Sequence, residues 1–430
     1  MSESGATSGH VASYYAATAH RQDARAALRG SERADVCVIG AGFTGISAAL
    51  ELAERGFSVI VLEAVRVGFG ASGRNGGQII NGYSRPLDVI AARYGEQAGR
   101  AIGAMALEGA SIIRERVAKY AIACDLVPGG LLVALSARQM QWLEHEQRVW
   151  AAYGHPGMTL LDRAGLAPHV TSPRYVGGLL DPLGGHLHPL NLVQGEAAAL
   201  ESLGGRIFEN SRVLEVETGA EPVVRTAQGE VRSKYVLVCG NAYIGDLLPE
   251  LGGKIMPVST QVLATEPLGQ LAETLLPSNV CVEDCNYVLD YFRRSADGRI
   301  LYGGGIVYGG QDPASIRKKI LPLMRKTFPA LAGRKIDYAW SGNFALTLTR
   351  FPQIGRLSPS VYFSHGDSGH GVTTTHLLGK LLGEAVAGTA SRFDVFAGLP
   401  YYPFPGGKAL RVPLTVLGSW YYRFRDRLGV

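Results

Sequence analysis

Ala34-Asp35-Val36-Cys37-Val38-Ile39-Gly40-Ala41-Gly42-Phe43-Thr44-Gly45-Ile46, closed by Val59-Ile60-Val61-Leu62-Glu63, decides the fold. An apolar strand enters a glycine turn, a helix opens at Phe43 and Thr44, and a second strand ends on an acid. Gly40 permits the tight turn, Gly42 lets the backbone approach a pyrophosphate, and Gly45 lets the helix lie close on the strand; the helix N-terminus favours the phosphate charge. Glu63 stands where it accepts hydrogen bonds from ribose hydroxyls. A bare GxGxxG is weak evidence. Here the flanking strand, the Ser47-Ala48-Ala49-Leu50-Glu51-Leu52 helix and the terminal acid agree, so a dinucleotide site is expected.

Working outward, a chain of 430 residues with 47% hydrophobic content has room for two or three domains of roughly 100 to 200 residues each. The formal charge of +5 comes from 42 basic and 37 acidic residues, and the basic side chains are scattered, so nucleic acid is not expected as a partner. Five cysteines, an odd number, sit at 37, 124, 239, 281 and 285, two of them in apolar strand runs, which points to a reducing compartment. Cys281 and Cys285 have no second pair at ligand spacing, so no metal site is expected. Met1 to Gly30 has no apolar signal region, and the chain has no stretch long and apolar enough for a membrane span. The expectation is a soluble cytoplasmic protein.

The first βαβ unit runs from Ala34 to Ala64. Leu87 to Tyr120 then reads as one long helical pattern, with Ile90, Ile102, Met105, Ile112 and Ile113 at helical intervals, which interrupts the doubly wound unit. A short strand at Gly130–Leu135 and a helix from Leu190 to Leu203 follow. Tyr235–Gly240 reads as a return to the parallel sheet, and Val361–Ser364 leads through a glycine loop into a helix at about Thr374–Ala387. Between these, Gln261–Thr265, Asn286–Arg294, Arg299–Tyr308 and Tyr338–Gly342 alternate like an antiparallel sheet. The fold class is α/β, α+β overall: a discontinuous Rossmann-like nucleotide domain (33–85, 186–255 and 345–400) and an antiparallel-sheet substrate domain (86–185 and 256–344). Residues 1–32 are a polar leader, and the aromatic and basic tail at 401–430 docks on the body or on another subunit, which leaves an oligomer open.

That discontinuity bears on the nucleotide. A flavin dinucleotide bound extended needs contacts beyond the first unit, and three more glycine-rich stretches supply them. Gly68–Gly77 holds Ser72, Gly73, Arg74, Asn75 and Gly76. Cys239-Gly240-Asn241-Ala242 sits at the carboxyl end of a parallel strand, where such sheets bind ligands. Gly369-His370-Gly371-Val372-Thr373 precedes a helix whose amides and dipole suit the anionic edge of a reduced flavin.

The order GAGFTG, VLEAVRVGFGASGRNGG, YVLVCGNAY and GHGVTTTHLLGKLLGEA resembles that of the D-amino-acid-oxidase-like FAD-dependent amine oxidoreductases. The narrower stretches GGHLHPLNL (184–192), VEDCNY (282–287), LYGGG (301–305) and the C-terminal tail resemble a branch of that family that oxidises the primary amine of a gamma-glutamylated diamine in putrescine breakdown, with oxygen reoxidising FAD to give hydrogen peroxide. The resemblance implies FAD contacts at the glycines and loops above, and at Val213 by strand position. Members that tether flavin covalently use a cysteine in the segment matching Asn343–Gly355, which has none here, so noncovalent FAD is implied. Other members place a lysine over the flavin from the strand matching Arg299–Ile306, where this chain has Tyr302 and glycines. That departure leaves oxygen or another electron acceptor open.

For the amine, strand alternation puts Tyr287, Leu289, Tyr291 and Arg293 on one face, with Glu283 or Asp284 to hold a cation; core aromatics beside solvated carboxylates are the plainer alternative. His188 and Trp340 are further pocket candidates, Trp340 with a core alternative, and for both His186 and His188 a hydrogen-bonded structural role is favoured over acid-base work. Arg74, Arg293 and Arg350 are possible partners for a substrate carboxylate. An oxidase of another amine or amino acid, and a flavin-binding protein without turnover, are the competing readings.

Overall fold

Residues 9–245, 247–307 and 311–428 are described in the computed structural model of the chain; Met1–Ser8, Tyr308 at the end of one expected strand, and the last two residues of the tail lie outside them. The apolar run Gly30–Ile39 becomes the central strand of the first sheet. Val59–Leu62 lies parallel on one side of it, with Val36 opposite Val59, and Gly229–Val238 parallel on the other, with Val36 opposite Tyr235. Val361–His365 and Arg206–Phe208 extend the parallel set. Gln353–Ser358 is an antiparallel edge, and the hairpin Val213–Glu217 with Val223–Thr226 hangs from Gly229–Val238. The near-continuous hydrophobic runs at 36–39, Val59–Leu62 and 236–238 follow from burial on both faces.

Helices Phe43–Glu54, Pro189–Ser202 and Gly371–Val386 pack together beside this sheet, and Ile46, Leu50, Leu190, Leu200, Leu378 and Leu381 share its core. A Cβ at Gly379 would lie 2.6 Å from that of Ser47, so glycine lets two of the helices touch. Arg116 donates to Ser47 and Glu196, and Glu196 meets His376 at 3.2 Å. This buried network pairs the charges that the helices enclose.

The second sheet has nine strands, in the order Ile336–Thr347, Ile255–Thr265, Ile300–Val307, Asp290–Arg294, Cys281–Asp284, Val127–Ala134, Gly177–His186 and Gln78–Ile79, with Thr159–Asp162 pairing Gly177–His186. Cys281–Asp284 runs parallel to Val127–Ala134, a departure from the purely antiparallel expectation; the other pairs are antiparallel. Helix Pro313–Thr327 covers one face over Phe292, Tyr302 and Phe328.

The long helix expected over Leu87–Tyr120 is corrected. Three helices occupy it, Leu87–Tyr94, Glu96–Ala104 and Glu108–Lys119. Gly95 takes a φ of +91°, which ends the first, and a Cβ on Gly99 would meet Ala91 at 2.5 Å, so the second folds back on the first. Helical periodicity continues through the break, which hides it from the pattern.

The N-terminal segment carries a short helix, Tyr14–Ala17, capped by Ser13, and buries Tyr15 against Trp340 at 5.2 Å. Arg411 ties the C-terminal helix Gly407–Leu428 to the carbonyls of Gly252 and Ile255, while Leu417 and Trp420 further along are exposed.

Candidate active site

A cavity of about 1830 Å3 is walled by loops of the first sheet and one face of the second. Gly40, at a φ of +101°, turns the chain out of the central strand into it, and a Cβ there would meet the Cys239 carbonyl oxygen at 2.9 Å. Gly42, Phe43 and Thr44 open the helix on the cavity wall. Gly45 lies behind it: a Cβ would stand 1.9 Å from the Gly40 carbonyl oxygen, so its role is the close packing that places the turn.

Glu63 lines the cavity at the end of its strand. Its Oε2 accepts from the Ala41 amide at 2.9 Å and its Oε1 from the Val65 amide at 3.0 Å, bonds that oppose the upward push of burial on its pKa. A carboxylate clasped this way keeps further acceptor sites for hydroxyl donors.

The second loop divides its labour. Ser72 accepts from the Phe43 amide, and Asn75 donates to the Ala71 and Ser72 carbonyls while accepting from Gly77. These side chains shape the loop rather than reach for a ligand. Arg74 is different: it lies over the Phe69 ring at 4.4 Å, and its Nε and Nη2 are buried without a hydrogen-bond partner. Gly76 reaches the cavity and Gly73 does not. Two pillars from the second sheet hold this loop, Trp340 donating to the Arg74 carbonyl at 2.9 Å and Arg293 donating to the Gly76 carbonyl at 2.7 Å.

The remaining nucleotide candidates converge from far along the chain. Val213, Gly240 and Asn241 line the cavity, as do Gly369, His370, Gly371, Val372 and Thr373 at the start of the last core helix. Asn241 donates to Asp367 at 2.7 Å and accepts from the Gly366 amide at 2.9 Å, so it locks the third loop to the second strand end. His370 sits against the Asn81 carbonyl at 3.2 Å, and burial lowers its pKa.

Among the amine candidates, Glu283, Tyr287 and Tyr291 line the cavity. Strand alternation from Tyr287 to Arg293 is corrected, because the strand stops at Asp284 and resumes at Asp290. Asp284 accepts from the amides of Asn286 and Asp290 and bends the chain, so Tyr287 comes to the wall on a turn, under the Arg350 guanidinium at 4.2 Å. Burial lifts Glu283 to about 7; burial together with the Asp290 charge lifts Asp284 to about 7.

His188 and Trp340 do not reach the cavity. His188 caps helix Pro189–Ser202 by accepting from the Asn191 amide through Nδ1, with Nε2 on Thr18 at 3.0 Å. Trp340 is a loop pillar. Arg293 is held by Gly76 and Tyr15, which leaves it structural as well, and His186 is buried against the Asn279 carbonyl.

Arg85, Trp142, Glu146 and Trp150 also line the wall and are not among the expectations. Trp142, Glu146 and Trp150 recur every four residues on helix Ala137–Ala152, which puts them on one face. That spacing was the available signal, but only the second sheet shows that the face meets a cavity.

Glycine turns that let backbone approach, a clasped acid, two helix N-termini and one arginine with unused donors fit an anionic dinucleotide laid across both sheets. Fold and site define a flavin-dependent oxidoreductase. The chain belongs to the FAD dependent oxidoreductase family, whose match runs over residues 35–385. It is 54% identical over 423 residues to gamma-glutamylputrescine oxidoreductase of Escherichia coli, covering 98% of this chain and 99% of that protein. It is 44% identical over 430 residues to a probable oxidoreductase, OrdL, of Haemophilus influenzae, with 97% and 98% coverage. Among solved structures, L-proline dehydrogenase from P. horikoshii matches with a TM-score of 0.71 at 21% identity, over 83% of this chain and 94% of that one. Glycine oxidase from Geobacillus kaustophilus gives 0.68 at 22%, over 83% and 95%. At those identities the likeness is one of fold. FAD is the cofactor of the family, the chain is an enzyme of the amine-oxidising kind, and no helix among the described residues is long and apolar enough to cross a membrane.

Proposed function

We propose that the chain oxidises the terminal primary amine of gamma-glutamylputrescine to the aldehyde, releasing ammonia, with oxygen as the electron acceptor. The observation that carries this reading is one cavity holding the nucleotide loops together with carboxyl groups, guanidinium groups and aromatic walls. A slot of that composition suits a substrate with a cationic amine at one end and a zwitterionic amino-acid head at the other. The near relative in Escherichia coli bears the matching name.

Gly40, Gly42, Glu63, Arg74, Gly240 and the Gly369–Thr373 loop are the proposed FAD contacts. FAD, when bound there, supplies the two-electron acceptor for the amine. The chain's own part is to bind the alkylammonium, strip it of water and remove its proton, because only the neutral amine is oxidised readily. Tyr287 and Tyr291 form the drying walls. Glu283, lifted to about 7 by burial, takes the proton. Water then hydrolyses the imine carbon to aldehyde and ammonia.

Cys239 and Cys285 reach the cavity wall, but burial lifts the Cys239 thiol to about 12 and Cys285 well above its ordinary value, so neither is a ready thiolate nucleophile. FAD is therefore proposed to be noncovalent. Gly304 and Gly305 line the cavity, while Tyr302 turns into the second core, so no lysine projects from that strand. The proposal places the enzyme in the cytoplasm, with residues 33–85, 186–255 and 345–400 as the cofactor-binding domain.

Anaerobic mixing with gamma-glutamylputrescine tests the reading: the flavin absorbance is expected to bleach, and peroxide to appear in air. Brisk bleaching by glycine or proline with none by gamma-glutamylputrescine would overturn the substrate. A bleached flavin that survives air would overturn oxygen as acceptor.

A further inference from the structure

Two of the carboxyl groups that line the cavity, Glu283 and Glu146, reach it from different supports. Glu283 lies opposite Tyr291 in the strand pairing, and the Tyr291 ring packs where a Cβ on Gly76 would stand, 2.6 Å away, so this carboxyl belongs to the end that abuts the cofactor loop. Glu146 projects from helix Ala137–Ala152, which packs on Val127–Ala134, Gly177–His186 and helix Leu87–Tyr94. Trp142 and Trp150 flank it along the wall. Arg85, just before helix Leu87–Tyr94, lines the same cavity with its Nε anchored on the Thr349 carbonyl at 3.3 Å.

Glu146 is only 6% exposed, and its Oε1 is fully buried with no hydrogen-bond partner. Its acidic neighbour cannot help: Asp88 uses Oδ2 on His145 at 2.7 Å and Oδ1 on the Val89 amide at 2.7 Å, and brings more negative charge. Burial first, and the Asp88 charge second, raise Glu146 to about 7. An unpartnered carboxyl in a cavity wall is costly unless an arriving group supplies a donor and a positive charge.

We infer that Glu146 receives the α-ammonium group of the gamma-glutamyl head, while Arg85 takes the head's carboxylate. The inference rests on the proposed substrate and deepens it, since the slot then reads both ends of one molecule: Glu283 the amine to be oxidised, Glu146 the amine to be kept. The α-amino group is held charged by its ion pair and away from the cofactor loop, which explains how two amines on one substrate meet different fates.

Two unreactive amides separate this inference from the substrate assignment. Gamma-glutamyl-n-butylamide keeps the head and lacks the oxidisable amine; glutaryl-n-butylamide also lacks the α-amino group. Titrated into the holoenzyme and followed by the flavin spectrum, the first is expected to bind about tenfold more tightly than the second. Glu146→Gln is expected to erase that preference and to raise KM for gamma-glutamylputrescine about tenfold, with a smaller change in kcat. An unaltered enzyme without the preference, or a Glu146→Gln variant that weakens both amides equally, would overturn the inference and leave Glu146 a structural carboxyl satisfied by water. A Glu146-dependent preference in an enzyme that never oxidises gamma-glutamylputrescine would sink the substrate assignment and keep the head site.

Discussion

The side of the cavity proposed for the nucleotide is built mainly from backbone, and the side proposed for the amine from side chains. At Gly40, Gly42 and the Gly369–Gly371 loop the chain offers amides and bare turns, while Ser72 and Asn241 use their polar atoms on neighbouring segments and Asn75 on its own loop. Across the cavity, Glu283, Glu146, Tyr287, Arg350 and Arg85 arrive from separate elements. On the proposed reading, a shared cofactor is held by geometry that only glycine permits, whereas a particular substrate is read by charges that any surface helix or turn can carry. Errors on the first side are steric and severe; errors on the second are chemical and graded.

The largest expected effect is therefore Gly45→Val, a residue that touches no ligand. Its Cβ would stand 1.9 Å from a backbone oxygen, so the helix must leave the strand, and the purified protein is expected to be colourless by its absorbance near the flavin band. Retention of flavin by that variant would break the comparison. Glu283→Gln tests the other side: kcat is expected to fall about 100-fold. In the parent enzyme kcat at saturating substrate, where the proposed Glu146 ion pair is already made, is expected to climb with pH through the region near 7 as this carboxyl ionises, and the variant is expected to lose that climb. A pH profile that keeps the same limb would reassign the base.

Arg74→Met sharpens the boundary, because Arg74 is the side chain on the nucleotide side with unused donors. Loss of charge-assisted bonds worth about 1.5 to 3 kcal/mol is expected to weaken FAD retention about 10- to 100-fold, read as flavin fluorescence released on dilution. His188→Ala is expected to be the mildest. Removing a helix cap costs about 1 kcal/mol, seen in the denaturant midpoint, with kcat altered less than twofold.

The same contrast explains what could be read in advance. GAGFTG and the strand closing on Glu63 form a unit whose strand, turn, helix and second strand lie between Ala34 and Glu63, and Glu63 returns to the Ala41 amide of its own turn, so the βαβ unit follows from spacing although Cys239 and Ser72 also pack on it. Tyr287 and Tyr291 both line the cavity although no continuous strand joins them, because the Asp284 turn depends on side-chain acceptors that alternation does not register. Trp142, Glu146 and Trp150 share a helix face that reads like any amphipathic stripe until the second sheet supplies the cavity. His188 takes the hydrogen-bonded structural role that its sequence favours, but its particular use as a helix cap depends on the helix beginning at Pro189.

The two pillars have a consequence for assembly. Trp340 and Arg293 grip carbonyls of the loop that carries Arg74, and Arg293 stands two residues along the strand from Tyr291. Whatever steadies that loop therefore steadies the amine wall with it. On the proposed reading, prosthetic-group loading is a maturation step for selectivity, and chains without flavin are expected to bind different amines alike.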